Sequence, residues 1–284
     1  MRQTLTITGH EGEGASWEMA VREPSPELAA GSFRYCGYEE HSLEPVSRLE
    51  VPHGRVVLIF SFGDAIELGG PAGESTQRSF VAGHSDQRTV TRYRGRQAGV
   101  QLDLTPLDAY RLLGVPMRVL ANEVVPLDDL GVRWARGLGE RLAEQPGWEA
   151  RFALLDDVLG RGQGEAPPVD RAVAWAWAQL ARSHGGVPVG ALAEEIGWSR
   201  RHFVSRFREQ VGLAPKPTAQ VLRFRRAVGL LRGTGASSIS DIAAACGYAD
   251  HSHLDREFRR LAGCTPSSYL AAREPGRNGV AAEE

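Results

Sequence analysis

The chain has 284 residues, a length that favours two domains, and its mean hydropathy of −0.28 is that of an ordinary globular protein. Its charge is uneven: residues 1–170 hold 17 Arg against 25 acidic residues, a net −8, whereas residues 171–284 hold 16 Lys and Arg against 10, a net +6. Three cysteines without CxxC spacing argue against a disulfide scaffold or a structural zinc site. Because no apolar stretch reaches signal-peptide or membrane-spanning length, we expect a cytoplasmic protein without membrane contact.

The first third of the chain predicts an antiparallel sheet, possibly closed as a small barrel. Residues Arg55–Phe62 are β-branched and aromatic, and Thr89–Tyr93 and Ala98–Leu104 follow as two further strands, the second alternating apolar and polar side chains. The inward faces of Arg55–Phe62 and Gly99–Leu104 are the places where we expect a ligand pocket.

Helical patterns begin after this sheet. Leu107–Leu113 predicts a short helix, and Leu130–Glu144 and Trp148–Leu159 predict two more. Their apolar positions fit either a dimer surface or a core against the sheet. We therefore expect a β-rich domain with C-terminal helices over residues 1–160, a linker over 161–168, an all-helical domain over 169–272 and a flexible tail over 273–284.

The second half contains an internal repeat. LAEEIGW, starting at Leu192, aligns with IAAACGY, starting at Ile242, and apolar, Gly and Pro positions continue to match at an offset of 51. In each copy a short helix ends at a glycine, an aromatic residue follows, and Ser199 or Asp250 can cap the next helix. A helix, a glycine turn and a second helix form the helix-turn-helix design.

Helical phase shows what the second helix of each copy offers to solvent. Phe203 and Phe207 must point into the core, and so must the pair Leu254 and Phe258. The outward positions are then Arg201, Ser205 and Arg208, flanked by Val204, and Ser252, Arg256 and Arg259, flanked by Asp255. Arginine, serine and aspartate can all bond base edges, so two such stripes in a basic segment favour DNA over a merely solvated face.

The stretch Gly247–Tyr269 reads GYADHSHLDREFRRLAGCTPSSY and closely resembles the signature of the AraC/XylS family of bacterial transcription regulators. PKPTAQVLRFRRA, from Pro215, resembles the family's connecting helix. The resemblance implies an α+β chain: a β-rich, barrel-like N-terminal domain with helices, and an all-α C-terminal domain of two helix-turn-helix subdomains joined by a helix. It departs from the family pattern at Thr218, where the second copy has Tyr269, and at Leu270, where a basic residue is common.

The resemblance also implies site residues, which agree with the helical phase and add His251. The expected base-contacting residues are Arg201, Val204, Ser205, His251, Ser252, Asp255 and Arg256. The expected phosphate contacts are Arg200, Arg208, Arg223, Arg225, Arg259 and Arg260.

Partners and alternatives follow from the same resemblance. The front half more weakly resembles sensor-like domains of one branch of the family, so we expect double-stranded operator DNA, a small-molecule effector, RNA polymerase and a second copy of the chain as partners. No cofactor or enzymatic activity is expected. The alternatives are an enzymatic N-terminal domain, of a repair or amidase-like type, and a front domain that only dimerises.

Metal and hydrolase sites find little support in the sequence. His41, His53 and His84 are scattered, which is typical of surface or loop histidines, and His251 and His253 point to different faces of one helix. The chain has no GxSxG, HExxH or Walker-type GxxxxGK motif.

Overall fold

A computed structural model describes residues 4–12, 14–26, 28, 33–71, 73–162, 167–233, 238–272 and 280–281. The N-terminal part is an antiparallel sheet with three helices, and the C-terminal part is helical, as the α+β expectation required. The strands are β1 (Thr6–Gly12), β2 (Ala15–Arg22), β3 (Tyr35–Glu50), β4 (Val56–Ser61), β5 (Ile66–Gly70), β6 (Gly73–Gln77), β7 (Phe80–Ala82), β8 (Thr89–Leu104), β9 (Val124–Pro126) and β10 (Val280–Ala281). The helices are α1 (Pro106–Leu113), α2 (Leu138–Ala143), α3 (Trp148–Gly162), α4 (Arg171–Arg182), α5 (Val189–Ile196), α6 (Arg200–Val211), α7 (Pro215–Arg232), α8 (Ile239–Ala245), α9 (His251–Ala262) and α10 (Pro266–Ala271).

The two long strands β3 and β8 organise the sheet. They pair along their length, with an irregularity between Ser42 and Val46, and the strand order is β1-β2-β3-β8-β4-β7-β9. The other edge of β8 pairs with β4 at one end and with β5 at the other. The segments predicted as two strands, 89–93 and 98–104, are therefore one continuous strand.

One face of the sheet packs against the helices that follow it. Leu138 and Leu142 of α2 and Phe152 and Leu155 of α3 are fully buried in this core. These apolar positions form a core against the sheet, which was one of the two alternatives, and not an exposed dimer surface.

The prediction of one helix over Leu130–Glu144 is wrong for the first half of that range. Residues 127–130 and 133–135 form separate 3-10 turns, and α2 begins only at Leu138. Gly131 and Gly137 adopt left-handed conformations, with φ of 65° and 62°, which interrupt the hydrogen-bond ladder of an α-helix.

The segments outside the two domains are only partly described. The expected linker over 161–168 begins inside α3, which runs through Gly162, and residues 163–166 lie outside the described residues. Of the expected flexible tail over 273–284, only Val280 and Ala281 are described, and they pair with Leu49 and Arg48 of β3. The rest of that prediction lies outside the described residues. None of the helices in the described ranges combines the length and hydropathy that a membrane span requires.

The C-terminal helices form two units around α7. The core of the first unit contains Phe203 and Phe207 of α6, and the core of the second contains Leu254 and Phe258 of α9. Helix α7 contributes to both cores because Leu222 lies in the first and residues from Phe224 onward lie in the second. The repeat in the sequence is therefore a repeat in the structure, with α7 as the shared element.

Candidate nucleic-acid interface

The second helix of each copy, α6 or α9, is called the recognition helix below. Each recognition helix begins at the side-chain cap that the sequence predicts. Ser199 Oγ accepts a hydrogen bond from the backbone N–H of His202 at 3.3 Å, and Asp250 Oδ1 accepts one from that of His253 at 2.7 Å. Gly197, which ends α5, is left-handed with φ of 74° and so allows the sharp turn between the helices.

The turn is packed in the same way in both copies. The Trp198 ring meets the His202 ring edge-on at 4.5 Å between centroids, and Tyr248 meets His253 at 5.2 Å. His253 therefore packs against the turn residue Tyr248, whereas His251 lies 3.3 Å from the Asp255 carboxylate, so the two histidines point to different faces of α9 as expected.

The side of each recognition helix opposite its aromatic core is open. Phe203 and Phe207 are fully buried, whereas the predicted outward residues of α6 are exposed, with Val204 half-buried on the flank. In α9 the pattern is the same, with Leu254 and Phe258 buried and Asp255 half-buried. The exposed members of the two predicted base-contacting sets are Arg201, Ser205, His251, Ser252 and Arg256.

The Asp255 carboxylate pairs with two other side chains of α9. Asp255 lies 3.3 Å from His251 Nε2 and 4.0 Å from Arg259 Nη2. Such i,i+4 pairs between exposed side chains are weak and can be exchanged for contacts to a nucleic acid at little cost.

Residues 192–272 match the sequence model of a family described as "Helix-turn-helix domain". The HTH-type transcriptional regulator Rv1931c of Mycobacterium tuberculosis is 31% identical over 117 residues, which cover 41% of this chain and 45% of that protein. The HTH-type transcriptional activator RhaR of Pectobacterium carotovorum is 37% identical over 79 residues, 28% of each chain. The chain carries an AraC-type helix-turn-helix domain.

The similarities cover different shares of the proteins compared. The matched region spans less than half the length of Rv1931c and of RhaR. A solved structure of apo ToxT from Vibrio cholerae is similar over 88% of this chain and 99% of ToxT, at 15% identity and a TM-score of 0.48.

Most of the predicted phosphate contacts are exposed on the AraC-type domain. Arg200, Arg208 and Arg225 are exposed, and so are Arg259 and Arg260. Arg260 Nη1 nevertheless lies 3.7 Å from a carboxylate oxygen of Asp86, a residue of the N-terminal domain, and its Nη2 lies 3.6 Å from the buried Glu257.

Arg223 differs from the other predicted phosphate contacts. It is half-buried, its guanidinium donates a hydrogen bond to the Gly185 carbonyl oxygen at 3.2 Å, and it lies over the Tyr248 ring at 5.7 Å. Gly185 follows α4 in the first unit and Tyr248 lies in the turn of the second. The structure therefore gives Arg223 a bridging contact between the two units, a role that the sequence pattern did not indicate.

The two departures from the family pattern have visible consequences. Thr218 is fully buried, and its hydroxyl has no hydrogen-bond partner among the described residues. Its counterpart Tyr269 is also buried, and its hydroxyl accepts a hydrogen bond from Arg232. Leu270 packs half-buried against the core of the second unit, where a basic side chain would reach solvent.

A cavity of about 290 Å³ lies on the face of the sheet that the helices leave uncovered. Its apolar wall includes Val57 and Ile59 of β4, while the alternate residues of that strand pack on the helices. The expectation of a pocket on Arg55–Phe62 and Gly99–Leu104 therefore holds for one face of these segments, to which Gln101 also belongs.

The polar wall of the cavity lies where β3 faces β8. Arg48 Nη2 donates to Glu40 Oε2 at 2.6 Å and to the Tyr93 hydroxyl at 2.9 Å, and Tyr93 in turn donates to Glu40. The buried Tyr38 hydroxyl and Gln97 Oε1 have no hydrogen-bond partner in the described ranges. Both oxygen atoms are buried, and a buried polar atom without a partner costs free energy.

Burial also shifts the titration of groups at this wall. It raises the pKa of the Cys36 thiol to about 11, and it raises the pKa of Glu50 and lowers that of His53. In each case the shift favours the neutral form of the side chain. The cavity therefore presents paired charges and neutral groups beside its apolar wall.

The three scattered histidines do not share an environment. His41 is exposed, as expected, and His53 is half-buried at the cavity. His84 lies in a loop, as expected, but it is fully buried because it packs against the AraC-type domain. No cluster of three metal-ligating side chains occurs within the described part of the chain.

Proposed function

We propose that the protein is a sequence-specific DNA-binding transcription regulator. The observation that carries this proposal is the duplicated unit, in which a capped helix buries one aromatic stripe and exposes Arg201 and Ser205 in one copy and Ser252 and Arg256 in the other. Helices α6 and α9 would enter successive major-groove segments, roughly 34 Å apart on one side of the duplex.

Within each helix the side chains divide into two roles. Arg201 and Arg256 can each bond guanine O6 and N7 together, Ser205 and Ser252 can bond several base edges, and Asp255 can accept from cytosine N4. Val204 would make apolar contact with a thymine methyl group, and His251 would donate to an acceptor on a base. Phosphate contacts are proposed for Arg200, Arg208, Arg225, Arg259 and Arg260.

The N-terminal cavity is the proposed site of a small-molecule effector. Its apolar wall and the polar network of Glu40, Arg48 and Tyr93 fit a small molecule that combines hydrogen-bonding and apolar groups. RNA polymerase and a second copy of the chain remain proposed partners. The enzymatic alternative gains no support from the relatives, which are named as transcription regulators.

Selection of binding sites from random double-stranded DNA tests the proposal, because a regulator enriches one motif. Arg256→Ala should then lower affinity for that motif by about 1–3 kcal/mol and relax the preference at one base pair. Arg182→Ala, which removes an exposed arginine from α4 of the same domain, is the matched control and should leave the preference unchanged. Failure to enrich any motif would refute the function, and an equal loss on motif and random DNA would refute the role of Arg256.

Arg259→Ala tests the phosphate contacts separately. This change should weaken binding to all sequences and lower the slope of log affinity against log salt by about 1. An unchanged slope would remove Arg259 from the phosphate set.

A further inference from the structure

The segment Gly83–Arg88, which follows β7, faces the cavity and the DNA-binding domain at once. Gly83, Ser85 and Gln87 line the cavity. The residues between them point the other way: His84 and Asp86 contact the C-terminal domain, and a Cβ at Gly263, after α9, would lie 2.8 Å from Arg88 Cζ. A single short loop thus has the proposed effector site on one side and the DNA-binding units on the other.

The contacts on the second side reach both recognition helices. His84 Nδ1 donates to the carbonyl oxygen of Val211, the last residue of α6, at 3.0 Å. Asp86 lies 3.7 Å from Arg260 of α9. A third contact comes from a neighbouring 3-10 turn, Met117–Val119, where Arg118 Nε donates to Glu209 of α6 at 2.8 Å.

Hydrogen bonds join the segment to the residues that directly follow that turn. Gly83 N–H donates to the Glu123 carbonyl at 3.0 Å, Asn122 N–H donates to the His84 carbonyl at 3.3 Å, and Asp86 N–H donates to Asn122 Oδ1 at 2.9 Å. The fit is close, since a Cβ at Gly83 would lie 1.6 Å from the Leu120 carbonyl oxygen. Residues 83–88 and 117–123 are therefore one connected unit, which we call the platform.

The platform holds the same position of each recognition helix. Glu209 of α6 and Arg260 of α9 are equivalent residues, because they are separated by the offset of 51 that relates the two copies. Each lies in the last turn of its helix, next to a predicted phosphate contact, Arg208 or Arg259. The two ion pairs thus fix the two helices relative to one body.

We propose that the platform couples occupancy of the cavity to the relative placement of the two recognition helices. The proposal rests on the proposed DNA-binding function and adds its regulation. A ligand that displaces Ser85 or Gln87 moves the backbone that carries His84 and Asp86. Because such a ligand makes different contacts with the platform when the helical units are docked and when they are undocked, it shifts the docking equilibrium of both units. While docked, Asp86 also competes with a DNA phosphate for Arg260.

Hydrogen–deuterium exchange of the full chain, measured without DNA, tests the coupling. Asp86→Asn and Arg118→Gln each remove one exposed ion pair, so each should lower amide protection about two- to fivefold. The decisive expectation is that each single variant lowers protection in both α6 and α9. A response confined to α9 for Asp86→Asn, or to α6 for Arg118→Gln, would overturn the proposal.

Two controls keep the result specific. Asp129→Asn and Arg136→Gln make the same charge changes at exposed positions of the N-terminal domain that form no ion pair in the described part of the chain, and both should leave α6 and α9 unchanged. Because no DNA is present, the outcome does not depend on whether site selection succeeds.

The cavity side of the platform is tested by a second pair of variants. Ser85 Oγ both donates to the Gln87 carbonyl and accepts from its N–H, at 3.0 and 2.9 Å, so Ser85→Ala loosens the segment from within. Ile66→Val also changes the cavity wall but lies on β5, outside the platform. Protection of α6 and α9 should fall with Ser85→Ala only; equal responses, or no response to Ser85→Ala, would refute the coupling.

Discussion

His84 makes docking of the two domains dependent on pH. Its ring is fully buried, lies edge-on to Trp177 of α4, and donates from Nδ1 to the Val211 carbonyl. That donation identifies the neutral Nδ1–H tautomer, and Nε2 has no hydrogen-bond partner in the described ranges. A second proton on the ring would therefore be buried without compensation.

The direction and size of the effect follow from the pKa. Burial lowers the pKa of His84 from 6.5 to about 4, with a smaller contribution from His53 in the same direction, whereas the Val211 bond and Asp86 oppose the shift. Above pH 6.5 the ring is neutral in both states and docking is at full strength. As the pH falls from 6.5 to 4, the undocked state takes up a proton before the docked state does, so docking weakens by about 3 kcal/mol, or roughly 150-fold.

Exchange protection at the end of α6, corrected for intrinsic rates, measures this change between pH 7 and 4.5. His84→Gln is the control, since its amide can donate to the Val211 carbonyl but does not titrate. The carboxylates of Asp86 and Glu209 are common to both proteins, so the difference between them isolates His84. Protection in the original protein should fall about 60-fold more than in the variant by pH 4.5; parallel pH profiles would refute the reasoning.

Four further substitutions test the core, the helix caps and the Arg223 bridge of the DNA-binding domain. Phe258→Ala removes a fully buried ring and should lower the free energy of unfolding by about 3–5 kcal/mol in a denaturant titration, and a loss below about 1 kcal/mol would contradict the assigned core. Asp250→Ala should cost about 1 kcal/mol by the same measurement because it removes the shorter cap bond, and Ser199→Ala should cost less; the reverse order would show that the cap distances do not govern stability. Arg223→Ala should weaken binding to a two-half-site DNA more than to one half-site in fluorescence anisotropy, and equal losses would show a phosphate contact and not a bridge between units.

The duplicated units could be predicted closely because their determinants are local. A glycine that ends a helix, a capping side chain and an i,i+4 aromatic pair lie within about a dozen residues of one another, so pattern and phase suffice. Helices α6 and α9 begin at Arg200 and His251, directly after the predicted caps Ser199 and Asp250. Where a local pattern misled, as in Leu130–Glu144, Gly131 and Gly137 show the reason: helical spacing of apolar residues does not reveal a left-handed backbone.

The features that join the domains could not be predicted, because they depend on contacts between residues far apart in the chain. His84 is separated from Val211 by 127 positions, and its neighbours read as an ordinary polar loop. Arg223 resembles the other arginines of α7 until Gly185 and Tyr248 are seen on either side of it. The strands that line the cavity could be predicted, but the face of the sheet could not. Alternation of apolar and polar residues assigns side chains to two faces of a strand, and it does not show which face the helices cover.

The two recognition helices meet the platform with opposite charges. Glu209 pairs with the cationic Arg118, and its repeat equivalent Arg260 pairs with the anionic Asp86. Exchanging the two units would place Glu209 against Asp86 and Arg260 against Arg118, two like-charge contacts in place of two attractive ones. These contacts therefore favour one docking orientation of a pseudo-symmetric domain. The divergence of one position between the copies lets the N-terminal domain distinguish the first unit from the second.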